Sequence, residues 1–369
     1  MRTLSIVVFF GCLFISKITH AQEITPPSYF LEFMEENPDK FHLTYNDNFG
    51  RLIKWNDDEL STVGGLVYWI YVLEYVRQVN NGNFSPTERV KLDELEKFDA
   101  NSNKMKIWHD YLHHNRKLLK EKVRIREVVS GLINFTTDAN SDYLMSLLSI
   151  DSVQQAVRTF HMHNTTALFP MSSAIIYAHN PYQEEENAFV NKLKSENLQE
   201  FRQHTFQMFD TLTHDSTGLV KASFQFRPDK HKKYAALLTD RLPLGLVSDY
   251  NLLMQKINER SNDIFWGDMA EEWKKAVEAP LMSSKVMQEH YKHCGRLVYS
   301  TVNSVSITLY GTFKDGKRAQ LTATFDDLTE TEHIDLALAI NDFGFSIFEN
   351  KEYFNQLKQK IEIIRLKKK

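Results

Sequence analysis

Near both ends of the chain apolar positions recur every second residue; between the ends they recur every third or fourth. Phe41, Leu43 and Tyr45 alternate with polar neighbours, residues 46–50 supply turn chemistry, and residues 52–55 read as the returning strand of a hairpin. The period of two returns at Val305, Ile307 and Leu309, with Asp315-Gly316 as a hairpin turn and residues 319–325 as the partner strand. Thr329 and Glu332 have the spacing of a capping box, ahead of a helix whose apolar stripe is Leu336, Ile340, Phe343 and Ile347. A last helix places Phe354, Leu357, Ile361 and Ile364 on one face.

From about residue 58 to residue 289 helical patterning dominates, and 128–148, 151–160 and 184–212 read as helices. Strands so far apart in sequence must pair to satisfy their backbones. The expected fold class is therefore α/β in its α+β form. Residues 22–57 and 290–369 build one antiparallel sheet flanked by terminal helices, and an all-helical lobe over 58–289 is inserted between them. Within the lobe, residues 66–73 are apolar and aromatic without a break and follow Gly64-Gly65. A helix apolar all round is buried on all sides, and this one is too short to cross a bilayer.

The N-terminus changes the picture of where the chain works. Arg2, an apolar run from Leu4 to Ile15, and Thr19-His20-Ala21 read as a signal peptide over residues 1–21, directing export to the periplasm or beyond. Lys17 ends the apolar run short of the ~18 residues a membrane anchor needs. Cleavage leaves Cys294 as the remaining one of two cysteines, so no intrachain disulfide is expected. A net charge of −4 argues against nucleic acid as the partner. The Lys367–Lys369 tail and the Lys230-His231-Lys232-Lys233 cluster read as solvated surface. No phosphate-binding glycine loop is present, and no cofactor is expected.

The stretch Val63-Gly64-Gly65-Leu66-Val67-Tyr68, then Tyr71-Val72-Leu73-Glu74-Tyr75-Val76 and Asn81-Gly82-Asn83-Phe84-Ser85-Pro86, resembles the nucleophile helix and exit turn of β-lactamase and penicillin-binding-type serine hydrolases. Residues 132–145 resemble that family's Ser-x-Asn region and the helix after it, and Leu147-Leu148-Ser149-Ile150-Asp151-Ser152-Val153 resembles the next helix start. In the family, Ser-x-x-Lys opens a buried helix so that the lysine takes the serine's proton. Ser-x-Asn comes from the helical lobe, and a Lys-Thr/Ser/Gly-Gly strand helps hold the substrate carboxylate. The resemblance implies a β-lactamase/transpeptidase-like fold.

Carried over position by position, the resemblance puts Gly65 at the serine and Tyr68 at the lysine. Thr136, Thr137 and Asp138 take the Ser-x-Asn positions, and Leu297, Val298, Tyr299, Ser300 and Thr301 take the strand motif. Glycine cannot form an acyl-enzyme, and a phenol with an ordinary pKa of ~10 is a poor base at neutral pH. Leu297 removes a cation from the strand. The resemblance thus implies a catalytically silent homologue with no expected catalytic residue. Two readings of its cleft follow. Either Tyr68, Thr136, Tyr299, Ser300 and Thr301 line it to bind a cell-wall peptide, a glycan fragment or a partner protein, or Tyr68 and Leu297 fill it.

A different class of reading keeps an active hydrolase with a relocated nucleophile, for which Ser61 is the nearest serine. His109 and His113 have the i, i+4 spacing of a zinc pair, yet Lys106, Arg116 and Lys117 make their surroundings cationic, and solvated histidines are the better reading. No metal is expected there. His161-Met162-His163 and His290 with His293-Cys294 each lack a second matched pair. Glu184-Glu185-Glu186 and Glu271-Glu272 read as solvated helix starts.

Overall fold

The computed structural model describes residues 27–100, 103–224 and 231–368. The signal peptide expected over residues 1–21, together with Lys230 and Lys369 of the basic clusters, lies outside the described residues. Five strands form one antiparallel sheet: β1 (Phe41–Asp47), β2 (Leu52–Trp55), β3 (Tyr291–Ser300), β4 (Val305–Phe313) and β5 (Arg318–Phe325), in the order β2-β1-β5-β4-β3. The two ends of the chain meet at β1 and β5, with Leu43 opposite Ala323. The helices used below are α1 (Ser28–Glu36), α2 (Tyr68–Asn80), α3 (Asn103–His114), α4 (Ile125–Phe135), α5 (Asp138–Leu148), α6 (Val247–Asn258), α7 (Glu330–Glu349) and α8 (Lys351–Lys367).

The period of two sorts each strand into two faces. Leu43, Tyr45, Ile307, Leu309, Leu321 and Phe325 are buried against α1, α7 and α8, where Phe30 stacks on Phe343 with ring centroids 4.3 Å apart. Burying side chains of this size stabilises by ~1.5–3 kcal/mol each. The opposite face carries His42, Thr44, Ser306, Thr308, Thr322 and Thr324, all buried. There α6 crosses the sheet, and Asn251 Nδ2 donates to the Thr44 carbonyl at 2.9 Å. The capping box at Thr329 and Glu332 forms as the spacing predicts.

The chain leaves the sheet at Trp55, builds a helical lobe and returns at Tyr291. At the centre of that lobe α2 is buried on every side from Tyr68 through Val76. Two predicted helices are corrected. The span 128–148 breaks at Thr136, whose φ of 51° is left-handed and ends α4. The span 184–212 divides into Glu186–Ser195 and Leu198–Thr213, because Asn197 and Glu200 form a capping box that starts a new helix. Strand β3 has no clear alternation in its sequence, and the short ribbons Ser61–Thr62 with Leu244–Gly245 and Arg89–Lys91 with Lys122–Arg124 are too brief to show any. Among the described residues no helix is long and apolar enough to cross a membrane.

Candidate functional site

The buried helix opens with a 3-10 turn at Gly64–Val67 that runs directly into α2. Gly64 needs its glycine, with φ at +49°. Over both glycines lies the flat ring of Tyr299, coming from the end of β3. A Cβ on Gly65 would stand 2.1 Å from Tyr299 Cδ2, and one on Gly64 would stand 2.9 Å from Cδ1. Any side chain at position 65 collides with the ring where it now sits. Glycine and tyrosine therefore fit as a pair, the missing side chain making the cradle that the aromatic ring fills.

The same ring is tied down at its far end. Tyr299 Oη donates to Asp138 Oδ1 at 3.1 Å, and Tyr68 Oη donates to the same carboxylate oxygen in a short hydrogen bond. The two rings meet edge to face at 5.8 Å. Lys104, from the first turn of α3, closes the group: its Nζ is 3.8 Å from Asp138 Oδ2 and 4.8 Å from the Tyr299 ring centroid. Tyr68, Tyr299 and Asp138 are all buried, whereas the Lys104 side chain is 29% exposed. Burial first, and the Asp138 charge second, push both phenols well above the usual tyrosine range. At neutral pH both are protonated donors, and neither can accept a proton from a nucleophile.

The resemblance thus brings Gly65, Tyr68, Asp138 and Tyr299 together in space, across 234 positions of sequence. Other positions depart from it. Leu297 is fully buried in the lobe core. Ser300 and Thr301 were expected to line the cleft, and that expectation is corrected. Strand alternation turns Ser300 to the opposite face, where its Oγ lies 2.8 Å from His333 Nε2 on α7. Thr301 organises the β3–β4 turn, its Oγ1 accepting the Ser304 amide at 3.1 Å. Thr136 is half-buried at the end of α4, its backbone spent on the break between helices.

Ser61 is 3% exposed, and its hydroxyl donates to the Gly245 carbonyl at 3.5 Å. A carbonyl cannot take the proton that activation requires. His109 is half-buried, 3.8 Å from Glu96, with its pKa lowered chiefly by burial. His161 and His163 pack edge to face at 5.8 Å, and His293 hydrogen-bonds Asn258. Cys294 is buried, and burial pushes its thiol well up. No group of three or more His, Cys, Asp or Glu among the described residues is placed to hold a metal ion. Glu272, expected on a solvated face, is instead 6% exposed and gripped by Arg126 NH2 at 2.5 Å and Tyr75 Oη at 2.6 Å.

Two features of the site have no signature in the sequence. Lys104 belongs to no motif, and only the packing of α3 brings it over Tyr299. Asp142, one turn past Asp138, is fully buried and accepts from Ser172 N (3.1 Å), Ser173 N (2.7 Å), Ser173 Oγ (2.7 Å) and Ser141 Oγ (3.2 Å). It fastens α5 to the start of the helix Met171–Ala178.

No protein-family model matches this sequence, and no curated protein does. Likeness to solved structures is a likeness of shape. A β-lactamase from Sphaerobacter thermophilus superposes with a TM-score of 0.53 at 12% identity, over 87% of this chain and 95% of that one. A mutant of PBP-A, solved as an acyl-enzyme complex with penicillin G, gives 0.50 at 9% identity, over 89% and 99%. The chain has the fold of the β-lactamases and penicillin-binding proteins.

Proposed function

We propose that this protein is an exported, non-catalytic form of the β-lactamase-like fold, in which the substrate cleft has become part of the core. One observation carries the reading: the Tyr299 ring occupies the place beside Gly65 where a nucleophile's side chain and its substrate would have to be. Tyr68, Asp138 and Lys104 support it by binding one another, so no reactive group in the cluster is left with an unused partner. The work of such a protein is binding, done with its outer surface. The signal peptide expected from the N-terminal sequence points to a component of the cell envelope as the partner: a cell-wall peptide, a glycan fragment or another protein.

The competing reading, an active hydrolase with Ser61 as nucleophile, has no support from its surroundings, since that hydroxyl faces a carbonyl. Incubation with a labelled penicillin or a fluorophosphonate, followed by intact mass measurement, separates the two. The expected result is unmodified protein at every time point. A stoichiometric adduct that disappears in Ser61→Ala overturns the non-catalytic reading, as does an adduct on any other serine.

A further inference from the structure

Strand alternation places Arg296 on the same face of β3 as Ser300, against α7 and away from the closed cleft. Its NH1 donates to Asn341 Oδ1 at 2.6 Å. Arg296 is half-buried, and the loss of solvation pulls its pKa down to about 10. Three other enclosed arginines have carboxylates: Arg126 pairs with Glu272 at 2.5 Å, Arg260 with Glu278 at 2.6 Å and Arg77 with Glu74 at 2.6 Å, whereas Arg241 has backbone carbonyls alone as acceptors. Among the described residues no carboxylate pairs with Arg296. Even a partly desolvated charge is favoured by a counter-charge.

A second observation points to the same spot. Asn341 is 9% exposed, and its Nδ2 is buried with no acceptor. Because Oδ1 takes the Arg296 hydrogen bond, the amide orientation is set, and the unused group is a donor. A cation and an amide N–H therefore stand side by side, both lacking the same thing. An oxyanion supplies it, since one carboxylate or phosphate can accept from a guanidinium and an amide together.

We propose that Arg296 and Asn341 form a binding site for a compact oxyanion, the carboxylate or phosphate group of a ligand, at the seam between β3 and α7. The site is independent of the cleft and of the non-catalytic reading. It is tested by thermal unfolding of the purified protein in sodium chloride, sodium acetate and sodium phosphate at one pH and equal ionic strength. The expected result is a Tm higher by roughly 2 °C in acetate or phosphate than in chloride. The larger of the two gains identifies the oxyanion chemistry. Phosphate also stabilises proteins by exclusion from their surfaces, so variants carry the decision. Arg296→Gln removes the cation and is expected to abolish the gain. Asn341→Asp supplies the missing carboxylate from within, and is expected to raise the Tm in chloride while abolishing the gain. Equal Tm values for the wild type in all three salts overturn the proposal, and so does a gain that survives in either variant.

Discussion

Asp138 and Asp142 stand one turn apart on α5, both buried, and are satisfied in opposite ways. Asp142 is held by two backbone amides and two serine hydroxyls, a cage built largely from the start of a neighbouring helix. Nothing in that cage comes from the positions that the family resemblance associates with chemistry. Asp138 is held by side chains that occupy those positions, Tyr68 and Tyr299, with Lys104 as the nearby cation. The first is a fastening, indifferent to whether the protein is an enzyme. The second lies where the resemblance places the family's chemistry, and its side chains satisfy one another. A buried carboxylate left with unpaired neighbours is strongly destabilising, so Tyr68, Asp138 and Tyr299 make physical sense only as a set.

The fastening gives the largest expected effect. Asp142→Ala leaves two buried amides and the Ser173 hydroxyl without their acceptor, while Ser141 keeps the Asp138 carbonyl at 2.7 Å, and the change is expected to cost about 3–5 kcal/mol of unfolding free energy. Burial raises the Asp142 carboxyl to about 7, with the serine hydrogen bonds pulling it back down. An unfolded aspartate titrates near ~4, so between there and pH 7 the folded chain holds a proton that the unfolded chain releases. The contribution of this group to stability therefore falls as pH rises through that window and levels off above it. Denaturant titrations at pH 5, 6 and 7.5 should show the gap between wild type and variant narrowing with rising pH. A gap that widens would mean the cage is built for the anion.

The cleft gives a smaller effect with a sharper signature. Gly65→Ser forces a Cβ against the Tyr299 ring, and overpacking of this kind costs ~1–3 kcal/mol. In a Tyr299→Ala background the obstacle is gone, and the same serine should cost close to nothing. The coupling in this double-mutant cycle is the measurement. If the serine costs the same in both backgrounds, the ring is not what excludes a side chain at Gly65, and the paired fit of glycine and tyrosine is wrong.

How much of this was legible beforehand depends on whether a feature is local. The hairpins, the Thr329 capping box and the stripe of α7 rest on residues a few positions apart, and the alternation or spacing that makes them is written in the chain. That strands from both chain ends share one sheet followed from backbone satisfaction, whereas the pairing of β1 with β5 did not. The break at Thr136 was hidden, because a single left-handed threonine leaves the apolar period on either side almost intact. In the site, Gly65, Tyr68, Asp138 and Tyr299 could be named because they fall on motif positions. Tyr299 was expected to line the cleft, with Tyr68 and Leu297 as the residues that would fill it, and the closeness of the Tyr299 ring to Gly65 is a distance no spacing encodes. Lys104 and Arg296 carry no pattern at all. Their meaning comes from what stands opposite them, a carboxylate in one case and only an amide in the other.

The smallest expected effect belongs to Lys104, and its size decides how the Asp138 cluster is held. Two phenol donors already satisfy one carboxylate oxygen from inside, and the ammonium approaches the other at 3.8 Å from a side chain 29% exposed. Solvent screens a pair of that kind, and its contact with the Tyr299 ring adds only a modest cation–π attraction. Lys104→Met keeps most of the aliphatic stem and should cost no more than about 1 kcal/mol, with the difference shrinking as salt is added. Chemical denaturation of the two proteins at low and high sodium chloride measures it directly. A loss of several kcal/mol that salt leaves unchanged would make Lys104 the counter-ion on which the whole cluster depends, and the tyrosines its dependants.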